Sequence, residues 1–124
     1  KVLSRARVKR NDARRPRSLR AFQEMFSAIY PPERRTLAEA GVHLAEEAGE
    51  VAEAVHNFLG RHIESEFDDI KLEIADLLSC IFGVANSARI DIARELEKMF
   101  PRGCHVCHKT PCACNFSSVS RLKT

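Results

Sequence analysis

No stretch of this sequence is long and apolar enough to cross a bilayer: the longest apolar run, around Leu77 to Ala85, is short and interrupted. No contact with a membrane is therefore expected. No segment shows strict two-residue alternation or the β-branched density of a strand, which argues against a β fold, and no internal repeat is visible. The opening KVLSRARVKR is basic but lacks the apolar h-region of a secretory signal, so a cytoplasmic protein is expected. The missing initiator methionine reads as a processed or truncated chain. No aromatic residue interrupts Lys1 to Arg20, which denies that basic stretch a platform for stacking nucleic-acid bases.

What remains fits one globular domain of 124 residues, 44% hydrophobic and 30% charged. A chain of this size buries only a modest core, so a partner subunit, in a homodimer or homotetramer, is expected to complete it. The net charge of +3 hides an asymmetry: Lys1 to Arg35 holds eleven Lys/Arg against three acids, whereas His43 to Phe100 holds thirteen acids against five bases. A basic arm on an acidic body can bind nucleic acid, clamp phosphates or fold back on its own acidic surface. Without aromatics or apolar periodicity, residues 1–17 read as a solvated flexible arm, and nucleic acid is not the expected partner.

Helical order is predicted from Ser18, an N-cap, through LRAFQEMFSAIY, with Leu19, Phe22, Phe26 and Ile29 on one stripe, until Pro31 and Pro32 stop it. Thr36 with Glu39 three residues on is a capping box. It opens a helix whose stripe Leu37, Leu44, Ala48, Val51, Val55 and Phe58 runs to Gly60 as the closing residue. Ser65 is the expected cap of a third helix, with Asp68 and Asp69 in its first turn and Ile70, Ile74, Leu77, Leu78, Ile81, Ala85 and Ala88 along its apolar face. Asp91 caps a short fourth helix, Ile92 to Phe100, closed by Pro101. Short connections imply antiparallel neighbours, so the fold class is an all-α antiparallel bundle of about four helices, completed by dimerisation.

Two pairs of carboxylates, Glu47 with Glu50 and Glu73 with Asp76, sit at i,i+3 spacing, which puts each pair on one helix face. Glu47 lies beside the second helix's apolar stripe with Glu50 and His43 along the same flank, and Glu73 lies beside the third helix's stripe with Asp69, Asp76 and Cys80. An ordinary solvated acidic flank makes i,i+4 pairs with Lys or Arg. Here the i+4 positions are Val51, Ala54, Leu77 and Cys80. Four unpaired acids gathered between two helices call for a hard divalent cation with oxygen ligands, which reads as Mg²⁺. A bundle-core di-iron site needs Glu-x-x-His on each of two helices, and that pattern is absent.

The run HLAEEAGEVAEAV (His43 to Val55), followed by EIADLLSCIFGVANSARIDIARELEK (Glu73 to Lys98), closely resembles the MazG-like all-α nucleoside triphosphate pyrophosphohydrolases, whose signature is E-x-x-E, a variable spacer, then E-x-x-D. The EEAGEV context, the DLL after Asp76, the IDI before the last helix and Lys98 carry the match beyond the bare carboxylates, over Ser18 to about Phe100. The resemblance implies hydrolysis of a nucleoside triphosphate between the α and β phosphorus atoms, with Mg²⁺ held by Glu47, Glu50, Glu73 and Asp76. It implies Glu46 or Glu47, with Glu47 better placed, as the group that takes the proton from water, and Lys98 as a point charge on the phosphates. Relatives often continue past that lysine to an Asn, where this chain has Arg102; Arg102 and His43 complete the expected substrate-binding set. Cys80 stands where relatives often carry an aromatic residue.

Four of the five cysteines fall in CHVCHKTPCAC, as Cys104-x-x-Cys107 and Cys112-x-Cys114. Thiolates so spaced suit a tetrahedral Zn²⁺ site, with His105 and His108 as spare ligands; the other readings are a reduced flexible tail or a disulfide pair. The chain thus divides into an arm (1–17), a helical domain (18–100), a Cys-rich tail (101–115) and a flexible terminus (116–124). The leading function is a Mg²⁺-dependent nucleotide pyrophosphohydrolase. The rival is a catalytically silent helical module that binds nucleic acid through the arm and a zinc knuckle.

Overall fold

The computed structural model describes residues 15–115, so the readings of a flexible arm up to residue 14 and of a flexible terminus over 116–124 lie outside the described residues. The described residues are all-α and contain no strand, and none of their helices is long and apolar enough to cross a membrane. The chain divides after Ile90 into two compact units. The first holds three helices, α1 (Leu19–Ile29), α2 (Leu37–Arg61) and α3 (Glu64–Ala88), with a 3-10 turn at Pro32–Arg34. The second holds α4 (Ile92–Met99) and the cysteine loop.

Helix starts follow local side-chain chemistry. Ser18 sits in extended backbone and its hydroxyl accepts from the Ala21 N–H at 3.0 Å, which satisfies one of the orphan donors of α1. Thr36 and Glu39 form the complete capping box, with Glu39 N–H donating to Thr36 Oγ1 at 3.1 Å and Thr36 N–H to Glu39 Oε1 at 2.9 Å. These bonds from Thr36 hold the Glu39 carboxyl below the usual range. Asp91 caps α4, accepting from Arg94 N–H at 3.3 Å. The third helix differs from expectation. It begins at Glu64 with Ile63 at the cap and no capping side chain, so Ser65 lies inside the first turn, and Glu64 and Glu66 occupy the positions expected of Asp68 and Asp69. An Arg61–Glu66 ion pair at 3.3 Å bridges the connection.

The ends of α2 and α3 also depart from expectation, because neither uses glycine. Gly60 stays helical and His62 takes the left-handed conformation at φ 57°, its N–H bonded to Phe58 O at 2.7 Å and its ring edge-on to Phe58 at 5.8 Å. Arg89 does the same for α3 at φ 58°; Ile90 N–H reaches Ala85 O at 2.8 Å and Arg89 N–H reaches Asn86 O at 3.3 Å, the paired bonds of a Schellman motif.

With only His62 and Ile63 between them, α2 and α3 form an antiparallel hairpin, the main packing contact of the first unit. The seam of α2 is Ala40, Glu47 and Ala54, all buried, whereas the expected stripe residues Leu37, Ala48 and Val55 are exposed. On α3 the same holds: Cys80 is buried, but Ile74, Leu78 and Ile81 lie outward. Alanines on several sides of α2 blur its apolar periodicity, and close approach of two helices favours the small residues at the seam. Helix α1 packs on the far part of α3. There Phe26 stacks on Phe82, the one large side chain fully buried among the described residues, at 5.5 Å between ring centroids. A polar clasp sets their register: Gln23 Nε2 donates to Asn86 Oδ1 at 3.0 Å and to Ile90 O at 2.6 Å, and Asn86 Nδ2 donates to Gln23 O at 3.1 Å.

Candidate active site

The hairpin brings the two acidic pairs face to face. As α2 advances from His43 to Glu47 to Glu50, the neighbours on α3 retreat from Cys80 to Asp76 to Glu73. Carboxylate oxygens of Glu47, Glu73 and Asp76 all lie within 4.8 Å of one another. Glu50 stands at the edge of this trio and interacts with both Glu47 and Glu73. It opens onto a cleft that it lines with Glu53, Ala54, Asn57, Asp69 and Glu73.

Glu47 occupies the middle of the seam rather than its border, and only 8% of it is exposed. Its Oε1 lies 3.3 Å from His43 Nε2, while its Oε2, like Glu73 Oε2, is buried with no protein partner. A hydrogen bond shared with Asp76, then burial, then the charges of Asp76 and Glu50, push the Glu47 carboxyl up to about 7. Burial first, then contact with Glu50 and the charges of Asp76 and Asp69, raises Glu73 as well. These are the marks of carboxylates placed together without a counter-charge.

Arg35, just before the capping box, organises the entrance to the seam. Its guanidinium lies against Gly83, where a side chain would collide with Arg35 Nη2, and its Nη1 is 3.1 Å from His43 Nδ1. A guanidinium can only donate, so His43 Nδ1 accepts and the ring proton sits on Nε2, facing Glu47. The same Nδ1 is 3.8 Å from Cys80 Sγ, a thiol whose pKa is raised by burial. Ser79 Oγ donates to the Asp76 carbonyl at 2.6 Å and lies 3.4 Å from Asp76 Oδ1.

The other expected site residues are divided between α2 and the second unit. Glu46 is on the exposed face of α2, lining a shallow groove with Ala38, Glu39, Val42 and His43. Lys98 and Arg102 belong to the second unit, Lys98 ion-paired with Glu95 at 3.3 Å and Arg102 exposed. In that unit the thiols of Cys104, Cys107, Cys112 and Cys114 gather within 4.8 Å. Arg35 and Asn57 carried no motif. Their roles come from the register of the hairpin and from the missing side chain at Gly83. Asp69 lies one turn before Glu73, and its position along that flank was the available signal.

A family model described as the MazG nucleotide pyrophosphohydrolase domain matches residues 35–109. The chain belongs to the MazG family. Searches of curated proteins and of solved structures returned no match. The MazG match begins at Arg35, takes in all of α2, α3 and α4 with the four carboxylates, and ends between Cys107 and Cys112.

The raised carboxyls predict a pH dependence of the metal-free protein. A carboxyl whose folded pKa exceeds its unfolded value contributes stability that is complete below the unfolded pKa, near 4.5 for Glu47, and is lost as pH rises through its folded value of about 7. In chelator, Glu47→Gln is therefore expected to retain more of its melting temperature than the parent protein on going from about pH 5.5 to about pH 8. Parallel melting profiles for the two proteins would contradict the crowding of Glu47.

Proposed function

We propose that the protein is a Mg²⁺-dependent nucleotide pyrophosphohydrolase that converts a nucleoside or deoxynucleoside triphosphate to the monophosphate and pyrophosphate, a reaction suited to clearing unwanted nucleotides from the pool. The observation that carries this reading is the pair of buried carboxylate oxygens, Glu47 Oε2 and Glu73 Oε2, left without a protein partner inside a cluster of acids. An all-oxygen donor set of this charge fits a hard divalent cation. Glu47, Glu50, Glu73 and Asp76 would hold it, and its chemistry there would be to draw charge from the triphosphate oxygens.

The chain's own groups supply the rest. Water adds at phosphorus, the bond between the α and β phosphates breaks, pyrophosphate leaves, and the proton from water passes to a carboxylate. Glu47 suits that last role better than Glu46, because it lies inside the acid cluster with His43 Nε2 3.3 Å from its Oε1, whereas Glu46 sits on the outer face of α2. His43 in turn is oriented by Arg35. Lys98 and Arg102 would bring positive charge to the phosphates, Arg102 in place of the Asn of relatives.

The reading includes self-association as a homodimer or homotetramer. Val42, Leu59, Leu72 and Ile74 are each more than half exposed on the hairpin, and Phe67 and Leu78 nearly so, apolar side chains that a second copy of the chain would cover. Light scattering on the purified chain is expected to give the mass of two or four copies; a single-chain mass would remove this part of the proposal.

Release of pyrophosphate from a panel of ordinary and modified triphosphates, with and without Mg²⁺, tests the reaction. Glu50→Gln and Asp76→Asn are each expected to cut kcat by roughly two orders of magnitude or more while helicity is retained. Undiminished turnover in both variants would overturn the ligand assignment.

A further inference from the structure

We infer that Cys104, Cys107, Cys112 and Cys114 form a structural zinc site that folds the 103–114 loop around one ion and anchors the end of α4. The inference stands apart from the proposed hydrolysis. The MazG match ends at residue 109, between the two halves of the quartet, so half of the ligand set lies beyond the family domain.

The sulfur geometry is that of a metal site. All four Sγ atoms lie within 4.8 Å of one another, with Cys104 to Cys112 at 3.4 Å and Cys107 to Cys112 at 3.9 Å. Four sulfurs at the usual zinc–thiolate distance sit at the corners of a tetrahedron whose edge is ~3.8 Å. Disulfides would need sulfurs at ~2.05 Å, and all four cysteines are free. Backbone N–H groups are turned onto the sulfurs: Val106 N–H lies 3.4 Å from Cys104 Sγ, Ala113 N–H 3.4 Å from Cys107 Sγ, and Cys114 N–H 3.3 Å from Cys112 Sγ. Such donors favour the thiolate, the form that binds metal. Soft sulfur ligands in a closed set of four select zinc over the hard cations that suit carboxylates.

The loop is shaped for this closure and has little else to hold it. Cys104 N–H donates to Lys109 O at 3.2 Å and His108 N–H to Cys104 O at 2.8 Å, drawing the first knuckle shut. Gly103 adopts φ 110°, and a side chain there would strike Thr110 Oγ1 at 2.6 Å and the Lys109 backbone at 3.0 Å, so only glycine fits the approach. No residue from Pro101 to Asn115 is fully buried, which leaves a bound ion as the source of cohesion. The loop meets α4 through His105, whose ring sits edge-on to Phe100 at 5.4 Å, immediately after the helix that carries Lys98.

Elemental analysis of the full chain, purified in reductant without chelator, tests the site. The expected result is about one zinc per chain, falling to less than about a tenth in Cys104→Ser and Cys112→Ser but unchanged in Cys80→Ser, whose thiol lies outside the quartet. Should the quartet variants fail to fold, the parent protein still decides. Its Co²⁺-substituted form should show the visible absorption of a tetrahedral tetrathiolate, and removing zinc should raise hydrogen exchange over 103–114 and the last turn of α4. Absence of zinc, iron in its place, or full zinc retention in folded Cys112→Ser would overturn the inference.

Discussion

Repulsion among the carboxylates at the α2–α3 seam is the constraint on which the rest of the molecule turns. A helical hairpin of this size ordinarily fills its seam with leucine and isoleucine, but here the central position is Glu47, flanked about two turns away on either side by Ala40 and Ala54. The small neighbours let the helices approach closely enough for Glu47, Glu73 and Asp76 to share one volume. That closeness has little stabilising value in the protein alone, because like charges disfavour one another and burial disfavours each of them. The first unit therefore draws its cohesion from elsewhere: the Phe26–Phe82 stack, the Gln23–Asn86 clasp and the Arg35 guanidinium laid on Gly83. With the Phe58–Phe67 rings 5.4 Å apart and the Arg61–Glu66 pair at the turn, stabilising contacts flank the site and electrostatic strain sits in the middle, an arrangement that suits a site completed by a cation.

Much of this was legible from sequence where the signal is local. Ser18, Thr36 with Glu39, and Asp91 announce their helix starts because a capping bond spans only two or three residues. The carboxylate pairs were legible for the same reason, since i,i+3 spacing on a helix fixes a common face. The ends of α1 and α4, just before Pro31 and Pro101, were legible as well, but those of α2 and α3 were not. His62 and Arg89 take left-handed backbone that sequence rules reserve for glycine, held by bonds back into the last helical turn and, for His62, by contact with Phe58. Nor was the facing direction of α2, because alanine carries almost no orientation signal and larger apolar residues such as Val42 and Leu59 turn outward. The burial of Glu47 ran against every compositional expectation for an acid. Arg35 became visible only once Gly83 stood opposite it.

Read together, the oxygen cluster and the sulfur quartet are chemically orthogonal. Carboxylates favour hard cations that exchange water readily, and thiolates favour soft ones held in a closed shell. A protein carrying both can keep a permanent ion in its tail and an exchangeable one at its seam. The division matches the local chain: long regular helices position the acids at fixed spacing, whereas the cysteines sit in an irregular loop with almost no core of its own.

The most direct measurement of the central claim is the anomalous difference map of crystals soaked with Mn²⁺, which shares the oxygen preference of Mg²⁺ and scatters strongly. The account predicts a manganese peak at the seam, coordinated by oxygens from Glu47, Glu50, Glu73 and Asp76. A seam free of manganese, with those side chains turned away from one another, would contradict it.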